Sequence, residues 1–319
     1  MSEPSVIMSP DRSTAEAQLL ARAERHRHAG QLLAAEDICR GLLRENPNHA
    51  AALHLLGIIA HDAGNAAPAI DLLRRAIEAD STKALYFANL GEMCRLSGRL
   101  DEAVTAGRRA TEMNPDHAQA WNNLGIAHYD RGEFRQAEAC CREAIRLAPS
   151  LAEAYSNLGN ALRAERRLDE AVEAYGMALT LKPDSIWSHQ NLGTTLREQR
   201  RFAEAEATSR KGLFVRPDDV GLLNNLALSL APQGKGTEAV TVLIRSAKVE
   251  PENGKTLAYL ASVLVDLGRL EEAWIAIDKA QALMPTDLET GRMAVWIADR
   301  RAAVASAQAA SATGPSGGS

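Results

Sequence analysis

Seven of the twelve prolines, Pro47, Pro115, Pro149, Pro183, Pro217, Pro251 and Pro285, stand on one ladder of step 34, and Ser81 holds its only other rung. A fixed period of this length is the mark of stacked supersecondary units, each too small to bury an apolar face alone. Other columns keep the same step. Gly30, Gly64, Gly98, Gly132, Gly234 and Gly268 form one, with Arg166 and Arg200 on its two remaining rungs. Ala35, Ala69, Ala103, Ala137, Ala171, Ala205, Ala239 and Ala273 form another without a break. Leu56, Leu90, Leu124, Leu158, Leu192, Leu226 and Leu260 form a further one, each followed by glycine or alanine.

With the proline at position 32, the units run 16–49, 50–83, 84–117, 118–151, 152–185, 186–219, 220–253 and 254–287, with no insertion. Each holds two helical patterns. The first covers positions 2 to 14 and ends at the glycine column, where a left-handed residue can close a helix. The second covers positions 18 to 30 and stops before the proline. Small residues at positions 8, 20 and 27 let helices approach closely, and larger ones at 4, 7, 11 and 24 fill the space between. Aromatic residues are only 4% of the chain, so packing of small side chains between helices suits it better than a sheet sandwich.

The run Trp121-Asn122-Asn123-Leu124-Gly125-Ile126-Ala127-His128-Tyr129, followed by Ala137 and Pro149, resembles the tetratricopeptide repeat. The resemblance covers residues 16–287 and is weakest in the first unit, where Arg22 replaces Leu and Leu42 sits at position 27. It implies an all-α, right-handed superhelical solenoid with a concave groove. Residues 288–308 read as a capping helix, with Asp287 as its N-cap and Met293, Trp296, Ile297 and Val304 covering the end of the eighth unit. Residues 1–15 and the Gly/Ser-rich 309–319 are expected to be disordered.

At 100° per residue, positions 4, 7, 8 and 11 of the first helix pack inward, which leaves positions 2, 5, 6, 9, 12 and 13 for the groove. Position 6 reads Asn89, Asn123, Asn157, Asn191 and Asn225 in five consecutive units, with Ala21, Leu55 and Tyr259 outside them. A carboxamide both donates and accepts, so such a column can hold the backbone of an extended peptide at roughly 0.5–1.5 kcal/mol per bond. It is similar to the asparagine ladder in the repeat arm of the O-linked N-acetylglucosamine transferases, where the ladder holds acceptor proteins. The competing role for the same column is in folding or contacts between neighbouring repeats. The expected peptide-binding set is Asn89, Asn123, Asn157, Asn191 and Asn225 with Tyr129, Arg163, Trp187 and Arg197. Arg95 and Lys255 add positive charge near it, and Glu92, Asp130, Glu153, Glu198 and Asp266 add negative charge. The clamp by which some family members hold chaperone termini needs Lys or Arg at positions 5, 2 and 6. Here position 5 is basic only as His54, and position 6 is never Lys or Arg. Pro232, at position 13 of the seventh unit, is expected to end its helix early.

The net charge of −5 gives no basic stripe for nucleic acid. Cys39, Cys94, Cys140 and Cys141 fit neither a zinc site nor a redox pair, and His54 and His61 lack a third ligand, so no metal or cofactor is expected. The carboxylate pairs Asp101-Glu102, Asp169-Glu170 and Glu271-Glu272 begin second helices, where they suit the helix dipole, and no nucleophile stands beside a base. Met1 to Arg12 carries no secretory pattern and no segment reaches the apolar length of a membrane span, so a cytoplasmic location is expected. Ala richness and Arg over Lys suggest a bacterial source. The expected role is a non-catalytic scaffold that binds a protein or peptide, without nucleic acid or membrane. Two alternatives are the substrate-recognition arm of a glycosyltransferase-like enzyme with its catalytic domain elsewhere, and a self-associating scaffold.

Overall fold

The computed structural model describes residues 12–312. Among the described residues the fold is all-α, with seventeen α-helices, one 3-10 turn and no strand. The first helices of the repeats are α1 (Arg12–His28), α3 (Ala50–Asp62), α5 (Ala84–Leu96), α7 (Ala118–Asp130), α9 (Ala152–Ala164), α11 (Ile186–Glu198), α13 (Val220–Leu230) and α15 (Gly254–Asp266). The second helices are α2 (Leu32–Glu45), α4 (Ala66–Ala79), α6 (Leu100–Met113), α8 (Phe134–Leu147), α10 (Leu168–Leu181), α12 (Phe202–Val215), α14 (Gly236–Val249) and α16 (Leu270–Leu283). Helix α17 (Leu288–Ala312) closes the series. From α2 onward, each class of helix starts at a constant step of 34 residues, the period of the proline ladder.

The chain forms two compact units, Met1–Glu165 and Arg166–Ser319. In the first, α1 to α9 pack each on the next, and each first helix also touches the first helix of the following repeat. In the second, α10 to α17 pack in the same way, with α11, α13 and α15 meeting one another in turn. First helices thus form a layer of their own in each unit. Close approach depends on the small residue at position 8. A Cβ on Gly91 would stand 3.1 Å from the Ala103 carbonyl oxygen and 3.2 Å from the Gly107 nitrogen, so any side chain there would push α5 off α6.

The turn between the two helices of a repeat closes through a left-handed residue. The six glycines of the ladder have φ between 72° and 81°. Arg166 (64°) and Arg200 (59°), on the two other rungs, take the same conformation and carry the Cβ penalty that glycine avoids. First helices begin at position 34 of the preceding unit. His49, Ser185, Asp219 and Asn253 each accept there from the backbone N–H three residues on. Asp287 caps α17 in the expected way, accepting from the Thr290 N–H at 2.8 Å. Lys83, His117 and Leu151 stand at the same position and make no side-chain cap. Pro232 ends α13 at Leu230, and Ala231–Gln233 continues as a 3-10 turn.

Two expectations at the ends need amending. Helix α1 begins at Arg12 and α17 runs to Ala312, so both helices are longer than the pattern gave. Residues 1–11 and 313–319, expected to be disordered, lie outside the described residues. On α17, Thr290, Ala294 and Ile297 are buried and Met293 packs on the same core, but Trp296 and Val304 are each 44% exposed. Trp296 lies 100° around the helix from Ile297. Val304 lies beyond the start of α16, which α17 passes where Arg301 pairs with Glu271. No helix among the described residues is long and apolar enough to cross a membrane.

Candidate functional site

In the first unit the position-6 column places Asn89, Asn123 and Asn157 half-buried on the layer of first helices. Two of the three point their donor back at the preceding repeat. Asn89 Nδ2 meets His54 Nε2 at 2.8 Å, and Asn157 Nδ2 donates to Asn122 Oδ1 at 2.9 Å, each across 35 residues. His54 is buried and stacked on Tyr86 at 4.5 Å between centroids. Burial pushes its pKa down to about 4, so its neutral ring accepts from Asn89. Asn123 differs: its Oδ1 accepts from Gln119 Nε2 at 2.8 Å on the same helix. The Oδ1 atoms of Asn89 and Asn157 carry no hydrogen bond from any described residue.

The charged groups beside this column are mostly matched. Arg27 at position 12 reaches Asp62 at position 13 of the next repeat, at 2.9 Å. Arg95, two steps of the pattern further on, holds Glu92 at 2.8 Å and Asp130 at 2.9 Å. Those carboxylates raise its pKa further above the ordinary value. Tyr129 is 36% exposed and tilted against Phe134, and Arg163 is half-buried on α9.

In the second unit α11, α13 and α15 enclose a polar hollow of about 460 Å³. Its wall includes Asn191, Arg197, Asn225, Lys255 and Tyr259. Asn191 is half-buried, whereas Asn225 is only 7% exposed. Asn225 Oδ1 accepts from Arg197 Nη1 at 2.7 Å and Thr194 Oγ1 at 3.3 Å, and its Nδ2 donates to the Gln190 carbonyl at 3.0 Å. Its amide therefore serves the protein at both ends. Burial lowers the pKa of Arg197 from the ordinary guanidinium value. Trp187, at 48% exposure, lies outside the wall of this hollow.

A second polar column stands at position 5, beside the asparagines. Asn122 and Ser156 in the first unit and Gln190 and Asn224 in the second are its members, all buried or half-buried. Asn224 donates to Thr256 Oγ1 at 2.9 Å and accepts from Ser246 Oγ at 2.9 Å. Gln190 Nε2 donates to Asp219 Oδ1 at 2.6 Å. Position 5 is thus more enclosed than its expected place in the groove, and four consecutive polar residues there were the available signal. Position 4 shows a related regularity: Trp121 Nε1 donates to the Pro115 carbonyl at 2.8 Å, and His189 Nε2 lies 3.0 Å from that of Pro183.

No curated protein matches the chain. Family models described as tetratricopeptide repeat match residues 20–84, 118–151, 152–185 and 225–287, and one described as TPR repeat matches 91–132. Among solved structures, the chain is similar to one in the crystal structure of the APC/C hetero-tetramer Cut9-Hcn1, at 16% identity and a TM-score of 0.62. That match covers 88% of this chain and 55% of the other, so the chain spans about half the length of that relative. A tetratricopeptide repeat protein from Parabacteroides merdae matches at 15% identity over 78% of this chain and 99% of its own, with a TM-score of 0.60. YrrB, a TPR protein with an unusual peptide-binding site, matches at 21% identity over 60% of this chain and 98% of its own, with a TM-score of 0.49. Helix pairs recurring at 34 residues, closed by a left-handed residue and matched by these models along most of their length, make the chain a tetratricopeptide repeat protein.

Proposed function

We propose that the chain is a cytoplasmic protein–protein interaction scaffold that holds an extended segment of a partner along its first helices through the asparagine column. The observation that carries this reading is the state of Asn89 and Asn157. Each has its donor fixed by the preceding repeat and its Oδ1 left without a partner among the described residues. An amide held in this way is a preoriented acceptor for a peptide N–H, and its ordering cost is already met by folding. Such bonds recognise backbone, so they tolerate many partner sequences. The cytoplasmic part of the reading is supported by four buried thiols without a disulfide. Burial pushes Cys39 and Cys141 up to about 12 and Cys140 to about 11, which makes them inert.

The same column supports the finer likeness to the repeat arm of the O-linked N-acetylglucosamine transferases, in which case the captured protein is a substrate for a catalytic domain elsewhere. The test is selection from a displayed library of random peptides by the full chain and by the triple variant Asn123→Ala, Asn157→Ala, Asn191→Ala. The expected result is enrichment by the wild type and its loss in a variant that still melts cooperatively. Equal enrichment by both would remove the ladder from the mechanism.

A further inference from the structure

Two groove arginines follow one rule, and Arg197 breaks it. Position 12 of one repeat faces position 13 of the next, 35 residues on, and there Arg27 finds Asp62 and Arg95 finds Asp130. For Arg197 the same step lands on Pro232. Proline offers no acid, and it also ends α13 two residues earlier. The Arg197 guanidinium is left half-buried with a neutral hydrogen-bond partner, Asn225 Oδ1, and no ion pair among the described residues. Its own neighbour Glu198 is turned to Arg166 at 3.0 Å.

The other charges around the hollow sharpen this imbalance. Asp219 caps α13 and accepts from Gln190 and Arg216. Glu250 accepts from Asn253 Nδ2 at 2.9 Å. Lys255, exposed in the wall of the same hollow, makes no ion pair among the described residues. Both acids are therefore occupied, while neither cation forms an ion-pair contact among the described residues, although Glu198 acts on Arg197 and Asp287 on Lys255 from further off. A guanidinium drawn partly out of water, with donors unused, favours an anion far more than one on the open surface.

We propose that this hollow recognises an aspartate or glutamate side chain of the bound segment, with Arg197 as its main partner and Lys255 as a second cation at the rim. Asn225 holds the guanidinium in place through Nη1, and the acid takes its remaining donors. The occupant is a side chain within a continuing peptide, because the position-6 column runs along the same wall, as Asn191 on α11, Asn225 on α13 and Tyr259 on α15. This assignment rests on the groove being a peptide site. The usual source of groove charge in this molecule, an arginine matched internally, is absent here because of one proline.

The test uses the displayed library, in which peptides are fused at their C-termini and present only side-chain carboxylates, and the full chain as wild type, Arg197→Gln, Arg197→Lys and Pro232→Glu. Pro232→Glu restores the acid on the 35-residue rung and leaves Arg197 in place. The wild type is expected to enrich Asp or Glu at one position. Resynthesised acidic peptides should bind Arg197→Gln and Pro232→Glu about tenfold or more weaker, with Arg197→Lys between, and the wild-type affinity should fall with salt. Their neutral versions should bind all four proteins alike. Enrichment that depends on the asparagines but shows no acid preference would overturn the carboxylate site and leave the groove reading standing. Acid preference that survives Arg197→Gln would also overturn it, as would binding of the resynthesised peptides that is lost when their C-termini are amidated. No enrichment of any peptide by the wild type would overturn the groove reading and this assignment together.

Discussion

Asn157 and Asn122 meet amide to amide, Nδ2 to Oδ1 at 2.9 Å, across 35 residues of sequence. The bond ties position 6 of one repeat to position 5 of the repeat before it. Asn122 is 2% exposed, so its carbonyl oxygen has no water to fall back on. Replacing Asn122 by Ala is expected to strand the Asn157 donor and cost about 1–3 kcal/mol. Asn123→Ala, which loses only an exposed bond to Gln119, should stay within about 0.5 kcal/mol. Urea unfolding of the two variants side by side checks the contrast, and equal midpoints would refute it.

Arg166 and Arg200 hold left-handed conformations that the other turns of the series give to glycine. Changing either to Gly should raise stability by about 1 kcal/mol, since the strain of a Cβ at positive φ is about 1–2 kcal/mol and glycine loses some of that through a freer unfolded chain. The ion pair of Arg166 with Glu198 is largely exposed and offsets little. A rise in thermal midpoint for both single variants, additive in the double, is the expected outcome.

His54 gives the protein an acid-sensitive point. Its folded pKa of about 4 lies below the unfolded value of 6.5. Above pH 6.5 both states are neutral and the group contributes no pH dependence. As pH falls from 6.5 towards 4 the unfolded chain binds the proton and the folded chain does not, so stability declines by up to about 3 kcal/mol. Below 4 the folded ring charges as well and the decline stops. His54→Gln keeps an acceptor for Asn89 without the titration. Its stability relative to wild type should grow steadily between pH 6.5 and 4, while His189, also depressed by burial, affects both proteins equally. A difference that does not change with pH would contradict this.

Lys83 stands where His49, Ser185, Asp219 and Asn253 cap their helices, in the extended conformation a cap requires, and it makes no such bond. Lys83→Asp should supply the missing acceptor to the start of α5 and stabilise by about 0.5–2 kcal/mol. Leu151→Asp at α9 tests the same argument where the side chain is half-buried, and a smaller gain is expected there. Thermal melts at two salt concentrations separate the cap from simple charge reversal.

Period, helix pairs and turns were legible in the residues because each repeats eight times, so a column of glycine or proline names its own physical cause. The Arg166 and Arg200 rungs could be located but not their cost, since only backbone angles reveal a left-handed arginine. The asparagine column was visible, but the direction of each amide was not. Asn89 and Asn157 donate backward, Asn123 turns to its own helix, and Asn225 is occupied by Arg197, Thr194 and Gln190. These choices depend on what position 5 of the neighbouring repeat offers, and that contact spans 35 residues where periodicity counts 34. Trp296 and Val304 were misplaced for a related reason: the pattern within α17 cannot show where α16 begins.

The unbroken step between helix starts sets which length changes the gene can accept. Bonds such as Asn157 to Asn122 and Arg95 to Asp130 join residues one period plus one apart, so gaining or losing a whole copy keeps donors opposite acceptors on either side. A shorter insertion or deletion within a first helix rotates the later groove residues of that helix about its axis by 100° per residue. Growth and loss by entire duplicated blocks is the route such a molecule leaves open.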